Sequence, residues 1–159
     1  MNAAVDLVLD LPDEAATAGL AGRLAWRARQ GDVIGLEGEL GSGKTSFARA
    51  FIRALGTGTE EVPSPTFTLV EIYAFAGQPP VWHFDLYRLG APEEAYELGI
   101  EEALAEGVSL IEWPERLGPL MPAEHLRVVL TQGPAPTART ARLSFTPLWA
   151  ARLGGIEHD

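Results

Sequence analysis

The stretch Gly38-Glu39-Leu40-Gly41-Ser42-Gly43-Lys44-Thr45 determines how the rest of this sequence is interpreted. It has the pattern G-x-x-x-x-G-K-[ST] of a P-loop, whose backbone N–H groups surround the phosphates of a nucleotide. Glycines allow the tight turn that this requires, and the N-terminus of the following helix adds a partial positive charge. The pattern predicts that Lys44 reaches the β- and γ-phosphates and that the Thr45 hydroxyl binds Mg²⁺.

The residues on either side favour a strand–loop–helix unit. Val33-Ile34-Gly35-Leu36-Glu37 is a short apolar run typical of a buried strand. From Ser46 to Leu55, apolar residues recur at the 3.6-residue spacing of a helix. Lys44 is the only lysine, and the other eleven basic residues are arginines, so an ammonium group occurs only where a P-loop requires one. A chance glycine-rich turn is the alternative, and this context disfavours it.

Length and composition indicate an ordinary globular protein. The 159 residues suit one domain, residues 1–159, with residues 153–159 expected to be a frayed tail. No apolar run reaches the length of a membrane span, and the first ten residues lack the features of a signal peptide. The absence of cysteine excludes disulfides and is consistent with a cytoplasmic location, which we expect.

The charge argues against a protein whose whole surface binds nucleic acid. The net charge is −10, and phosphate contacts by cations dominate the affinity for nucleic acids. If RNA is involved in the function, we expect another chain to bind most of it. The three histidines, His83, His125 and His158, lie far apart and show no metal-ligand spacing.

Periodicity predicts an alternation of strands and helices. Strands are expected at residues 3–11, 69–75, 81–86, 108–113, 126–131 and 140–145, and helices at 13–29, 92–105 with a break at Gly99, and 148–153. The strands at 69–75 and 81–86 are expected to form a hairpin. In the first helix Asp13 is the expected N-cap. The residues expected to face the core from that helix are Ala16, Leu20, Leu24 and either Trp26 or Ala28.

Several polar residues are candidates for a site around the phosphates. Glu112 follows an apolar run, as does the acid that holds Mg²⁺ in P-loop enzymes, although acids are common at strand ends. Asp85 ends another predicted strand, where a cap or turn residue is the slightly favoured alternative. Thr66 lies in the proline-stiffened loop 62–68 and is either a switch residue that senses the γ-phosphate or part of a rigid turn. Trp113 would pack near the nucleotide or, more commonly, in the core.

Five segments, taken together, strongly resemble the TsaE (YjeE) family in sequence, order and spacing. The resemblance extends from about Leu11 to Leu117, and the later residues match only in outline. The segments are Gly41-Ser42-Gly43-Lys44-Thr45, Ser64-Pro65-Thr66-Phe67-Thr68-Leu69-Val70-Glu71, His83-Phe84-Asp85-Leu86-Tyr87-Arg88-Leu89, Glu97-Leu98-Gly99-Ile100 and Ile111-Glu112-Trp113-Pro114.

The resemblance implies a fold and a function. The fold is an α/β P-loop NTPase fold, a single three-layer domain with a mixed, partly antiparallel central sheet flanked by helices. The function is that of a small bacterial ATPase that binds ATP and Mg²⁺. With the partner proteins TsaB and TsaD, such ATPases are needed to make threonylcarbamoyladenosine beside the anticodon of certain tRNAs. We therefore expect contact with tRNA only indirectly, through the complex.

The resemblance also assigns roles to individual residues. It places Lys44, Thr66, Asp85 and Glu112 in the catalytic group, and it makes Thr45 and Glu112 the Mg²⁺ ligands. The residues that it places around the nucleotide are Glu14, Leu40, Gly41, Ser42, Gly43, Lys44, Thr45, Ser46, Trp113 and Arg139.

Two other functions are open for a P-loop domain of this size. A small-molecule kinase usually has an arginine-rich lid, whereas this chain shows no arginine cluster in its sequence and has a predicted hairpin after the P-loop helix. A nucleotide-dependent binding module would bind ATP without useful hydrolysis. Because no arginine finger is evident beside the motifs, we expect slow turnover by the chain alone, with Arg88 or a partner's arginine as the stimulating group.

Overall fold

The computed structural model describes residues 5–58 and 60–157. Its elements are β1 (Val5–Leu11), α1 (Glu14–Arg27), β2 (Val33–Glu37), α2 (Lys44–Leu55), β3 (Val70–Tyr73), β4 (Val81–Asp85), a first 3-10 helix (Pro92–Leu98), α3 (Ile100–Glu106), β5 (Val108–Glu112), a second 3-10 helix (Pro114–Leu120), β6 (Leu126–Gln132), β7 (Arg139–Phe145) and α4 (Pro147–Ala150). No helix among these described residues is long and apolar enough to cross a membrane.

The strands form one mixed sheet with the order β1-β7-β6-β2-β5-β4-β3. The central strands β6, β2, β5 and β4 are parallel to one another, while β3, β7 and β1 each pair antiparallel with a neighbour. Strands β4 and β5 are buried along their whole length, as expected of parallel strands covered on both faces. The predicted α/β fold with a mixed, partly antiparallel sheet is confirmed.

Two hydrophobic clusters give the fold its three layers. One joins α1 and α2 to one face of the sheet and contains the fully buried Leu20, Leu24, Phe47 and Phe51. The other joins α3 and the two 3-10 helices to the opposite face, with Phe84 at its centre. Alternate residues of the same strands supply the two clusters, because successive side chains of a strand point to opposite faces.

The first helix follows the predicted pattern except at its end. The Asp13 carboxylate accepts a hydrogen bond from the Ala16 N–H at 2.8 Å, which confirms the predicted N-cap. The helix ends at Arg27 rather than near Arg29, and Trp26 is 69% exposed, so of the two alternatives for the inward position Trp26 is excluded. Residues two apart on a helix point in nearly opposite directions, and Leu24 already occupies the buried face. The partly buried Ala28 packs against the core instead.

The other predicted elements are present with changed ends. The hairpin strands are shorter than expected, and the segment before Gly99 is a 3-10 helix rather than an α-helix. Gly99 has a φ of +86°, a left-handed conformation that breaks the helix at the predicted residue. Strand β1 begins at Val5, and the expected strand residues 3 and 4 lie outside the described residues.

The C-terminal segment differs from the expected frayed tail. The predicted helix at 148–153 is reduced to the short α4, but the chain beyond it remains packed. Ile156 is fully buried, and its carbonyl accepts a hydrogen bond from Arg23 Nε at 2.6 Å. Burial of Leu153 and Ile156 against the larger hydrophobic cluster explains why this segment folds back. His158 and Asp159 lie outside the described residues.

Candidate functional site

The P-loop lies at the carboxyl end of the central strand β2. The chain leaves β2 at Glu37, turns through Gly38 to Gly43 and enters α2 at Lys44. Gly38 has a φ of +145°, and a Cβ there would come within 2.5 Å of the Leu130 carbonyl oxygen. The loop therefore requires glycine at this position for both its backbone conformation and its close packing.

Lys44 is buried beneath this loop. Its side chain, in a residue only 5% exposed, donates to the carbonyl oxygens of Gly38 and Glu39 at 2.7 and 2.8 Å. Burial lowers the pKa of Lys44, while the carboxylates of Glu112 and two other acids act in the opposite direction. The ammonium group is thus held by the loop, at the entrance of the helix whose N-terminus attracts anions.

Glu112 is the most closely contacted acid of the site. Thr45 Oγ1 lies 3.0 and 3.1 Å from its two carboxylate oxygens, and His83 Nε2 lies 2.7 Å from Oε2. The residue is only 2% exposed. In the parallel pairing of β4 and β5, Asp85 lies opposite Glu112, so both acids reach the same edge of the sheet.

Thr66 and Asp85 are neighbours in the structure, although they are 19 positions apart in sequence. Thr66 Oγ1 lies 3.4 Å from Asp85 Oδ2, and the Ser64 hydroxyl lies 2.7 Å from that of Thr66. The other Asp85 oxygen accepts from the Tyr87 N–H at 3.1 Å, which is the turn contact considered as the alternative. Asp85 therefore stabilises the turn after β4 and also contacts the hydroxyl loop.

One cavity of about 300 Å³ brings most of the predicted site residues together. Ser42 does not line it but lies buried within the P-loop, and Glu14 lines an adjoining cavity of about 160 Å³ with Gly43, Ser46 and Arg139. The predicted residues that line the main cavity are Leu40, Gly41, Gly43, Lys44, Thr45, Ser46, Thr66, Asp85, Glu112, Trp113 and Arg139. Ser64 and Tyr87 also line it and had not been included in the predicted site.

Arg139 stabilises the P-loop from the start of β7. Its Nε donates to the Ser42 carbonyl at 2.8 Å and its Nη2 to the Gly41 carbonyl at 3.3 Å. Arg88, the candidate arginine finger, does not line the cavity; its guanidinium lies over the Phe67 ring at 4.6 Å. Among the described residues, Arg139 is therefore the single arginine that faces the cavity.

Trp113 forms a wall of the cavity. Its backbone has a φ of +59° and a ψ of 51°, a conformation that bulky residues rarely adopt. Its ring lies 4.4 Å from Lys44 Nζ and 4.9 Å from the Tyr87 ring. Trp113 is partly buried and also packs against the smaller hydrophobic cluster, so it lines the cavity and contacts the core at the same time.

His83 is a further residue of this region that sequence reasoning missed. It is fully buried on β4, and its contact with Glu112 crosses between neighbouring strands. No histidine spacing could reveal it, because the contact joins residues 29 positions apart. The available signal was a polar residue within the apolar run from Val81 to Phe84, a position that demands a hydrogen-bond partner.

The chain is similar in sequence and in fold to known proteins. A family model described as "Threonylcarbamoyl adenosine biosynthesis protein TsaE" matches residues 11–141, and therefore also covers β6 and the start of β7. A crystal structure of Bacillus subtilis YdiB has a TM-score of 0.76 and 27% identity, covering 97% of this chain and 95% of that one.

Curated relatives carry the name tRNA threonylcarbamoyladenosine biosynthesis protein TsaE. The protein from Bacillus subtilis is 40% identical over 120 residues, which cover 75% of this chain and 72% of that protein. The one from Rickettsia felis is 44% identical over 108 residues, covering 68% and 63% respectively. The match thus spans less than two thirds of the Rickettsia felis protein and 59% of its Rickettsia conorii counterpart.

Proposed function

The chain belongs to the TsaE family of threonylcarbamoyladenosine biosynthesis proteins, and from this premise we propose that it is the ATP-hydrolysing component of that tRNA modification. The reaction assigned to it is the conversion of ATP and water to ADP and phosphate. The proposed partners are the TsaB and TsaD proteins, and tRNA is reached only through their complex.

The observation that carries this proposal is the convergence of Lys44, Thr45, Asp85 and Glu112 on one cavity. Three features meet at the carboxyl edge of the parallel strands: a cation for phosphates, a hydroxyl and carboxylates for a metal ion, and the N-terminus of a helix. Ligands of open α/β sheets bind at this edge. Phosphoryl transfer requires mainly positioning and electrostatic stabilisation, which such a constellation supplies.

The chemistry of the donor set fits Mg²⁺. Thr45 and Glu112 present a hydroxyl and a carboxylate about 3.0 Å apart, and oxygen donors of this kind are the ligands that Mg²⁺ prefers. Thr45 and Glu112 would therefore hold the ion. When bound, Mg²⁺ supplies positive charge that stabilises the negative charge developing on the phosphates.

The P-loop residues bind and orient the phosphates in this proposal. Lys44 exchanges the Gly38 and Glu39 carbonyls, its partners at 2.7 and 2.8 Å, for phosphate oxygens. Negatively charged acceptors give stronger hydrogen bonds than carbonyls, so this exchange favours binding. Arg139 keeps the loop in shape by its bonds to the Gly41 and Ser42 carbonyls. Trp113 and Tyr87 restrict water on one side of the cavity.

Asp85 and Thr66 are the proposed groups for the attacking water. Their side chains face the cavity together, so the carboxylate can accept a hydrogen bond from water while the hydroxyl senses the γ-phosphate. The guanidinium of Arg139 is already engaged with loop carbonyls. A cation for the transition state therefore comes from a partner, and turnover by the chain alone is slow.

Steady-state ATP hydrolysis with and without the TsaB–TsaD pair tests the proposal. We expect slow release of phosphate by the chain alone and a rate increase of at least about a hundredfold with both partners, a modest share of what an arginine finger contributes. Lys44→Ala should remain inactive in both conditions. Transfer of phosphate to a metabolite, or nucleotide binding with no partner-stimulated hydrolysis, would instead favour the kinase or the binding module.

A further inference from the structure

We propose that His83 is a positioning residue that fixes the Glu112 carboxylate for the metal site. This inference rests on the proposed function, because it concerns the site that Thr45 and Glu112 form for Mg²⁺. It assigns a specific task to a side chain in the middle of the sheet that does not itself line the cavity.

The sheet register places the two side chains together. In the parallel pairing of β4 and β5, His83 lies opposite Leu110 and Asp85 lies opposite Glu112. Because side chains two apart on a strand share a face, His83, Asp85 and Glu112 all point to the same side of the sheet. His83 Nε2 reaches Glu112 Oε2 at 2.7 Å, and both residues are almost completely buried.

The hydrogen-bond network assigns the position of the proton. The Nδ1 atom of His83 is buried and has no hydrogen-bond partner among the described residues. A proton on Nδ1 would leave a buried donor unsatisfied, which is more unfavourable than an unsatisfied weak acceptor. The ring therefore carries its proton on Nε2 and donates it to Glu112 Oε2.

This donated bond leaves the rest of the carboxylate for the site. His83 on β4 holds Oε2, and the Thr45 hydroxyl lies 3.0 Å from Oε1 and 3.1 Å from Oε2, so contacts from two elements fix the orientation of the carboxylate. Partners of this kind orient metal ligands, and their removal typically weakens metal binding by about tenfold to a hundredfold. Without the His83 donor, a buried carboxylate would have to be held by Thr45 alone.

Two amide substitutions distinguish positioning from simple packing. His83→Gln can place an N–H near the position of Nε2, whereas His83→Asn reaches only as far as Nδ1. His125→Gln is the matched control, since His125 is partly exposed and its one side-chain hydrogen bond among the described residues is to the Pro122 carbonyl, at 2.7 Å. Loss of the free Mn²⁺ signal in electron paramagnetic resonance, with ADP present, reports metal affinity without turnover.

We expect His83→Asn to weaken Mn²⁺ binding by about tenfold or more, and His83→Gln and His125→Gln to remain close to wild type. Affinity for ADP without metal should be the same in all four proteins, which also shows that each is folded. Equal Mn²⁺ affinities in wild type and His83→Asn, or equal losses in the Asn and Gln variants, would overturn the proposal. A wild-type protein that binds no nucleotide would refute the proposed function itself.

Discussion

Lys44 combines burial with a charge, and its bonds to the Gly38 and Glu39 carbonyls and the nearby acids offset the cost of that burial only in part. The pKa of Lys44 is lowered mainly by burial, so the folded state disfavours its charged form. We therefore expect Lys44→Ala to retain the wild-type melting temperature or to exceed it. The same substitution should abolish productive ATP binding, because the phosphates lose their point charge. Calorimetric unfolding and ATP titration measure the two effects.

Lys44→Arg provides a sharper control for that prediction. It keeps the charge, but its planar guanidinium is larger and cannot reproduce the three compact donors of an ammonium beneath the loop. It should therefore bind ATP much more weakly than wild type. Hydrolysis at the wild-type rate by Lys44→Ala would contradict the P-loop assignment.

Glu112→Gln should separate nucleotide binding from Mg²⁺-dependent turnover. The amide keeps the shape of the side chain, and its oxygen can still accept from the Thr45 hydroxyl, which lies 3.0 Å from Oε1 of Glu112. It loses the negative charge that holds the metal ion. We expect ATP affinity without metal to be retained and turnover to fall by at least about a hundredfold. Glu115→Gln is the control, because Glu115 acts on Lys44 only at a distance and is exposed. Unchanged turnover would leave Glu112 with a structural role only.

Among single residues, the sequence could predict those whose pattern lies within one short segment. The P-loop glycines, Lys44 and Thr45 are contiguous, and Glu112 is marked by the apolar strand before it. The contact of His83 with Glu112 was not predictable, because it depends on the register between two strands. Tyr87 was missed for the same reason, since the pattern alone does not show that the turn after β4 faces the P-loop.

Among the elements, the loop from Val62 to Thr68 is the candidate switch. It is anchored by Arg49 Nε, which donates to the Val62 carbonyl at 3.0 Å, and closed by the Leu69 N–H, which donates to the Pro65 carbonyl at 2.7 Å. Thr66 Oγ1 lies 3.4 Å from Asp85, a distance longer than most O–H···O bonds. A stiff loop with a loose inner contact can move as a unit towards a γ-phosphate.

Thr66→Ala should therefore reduce the coupling between ATP and partners more than it reduces ATP affinity. Binding to the TsaB–TsaD pair is measured with ATP, with ADP and without nucleotide, in wild type and in the variant. By linkage, ATP changes partner affinity by the same factor as partners change ATP affinity. Thr68→Ala is the matched control, since the Thr68 hydroxyl donates to Glu71 and does not line the cavity. If the three wild-type affinities agree, the switch hypothesis fails.

The turn before this loop illustrates what local patterns cannot predict. Glycines and threonines such as those that follow α2 are typical of a pliable turn, but the Glu60 carboxylate accepts from the Thr57 and Gly58 N–H groups at 2.6 and 3.0 Å. These donors lower the pKa of Glu60. Thr59 lies outside the described residues. The hairpin, by contrast, was predicted correctly because its strand patterns and turn residues are adjacent in sequence.

For the whole molecule, the order of the strands in the sheet could not be predicted from periodicity alone. The pairing of β2 with β5 and β6 joins segments more than seventy residues apart, and no local pattern encodes such a contact. The order and spacing of the motifs implied the mixed sheet through the family resemblance. The C-terminal segment was expected to fray because chain ends commonly do, whereas the buried Ile156 fixes it beside α1.

The distribution of arginines bears on how tightly this chain binds tRNA. The fold gathers Arg27, Arg29 and Arg152 near the exposed Trp26, beyond the amino end of β2 and opposite the P-loop. Arg152 is paired with Asp32, and Arg27 donates to the carbonyls of Arg23 and Gly154. Of the three arginines, Arg29 is therefore the one whose guanidinium has no partner within the described parts of the chain.

One unengaged arginine in this group of three, on a chain with a net charge of −10, is too little for tight binding of a polyanion. We expect the isolated chain to bind tRNA only non-specifically at physiological salt, with a dissociation constant no tighter than about 10⁻⁶ M. Fluorescence anisotropy at several salt concentrations measures this dissociation constant. The slope of the logarithm of the binding constant against the logarithm of the salt concentration should correspond to about one phosphate contact. Arg29→Glu should remove what binding remains, whereas Arg142→Glu, on the outward face of β7, controls for the change in net charge. Tight binding that survives Arg29→Glu would mean that tRNA contacts this chain directly, at a surface other than the arginines near Trp26.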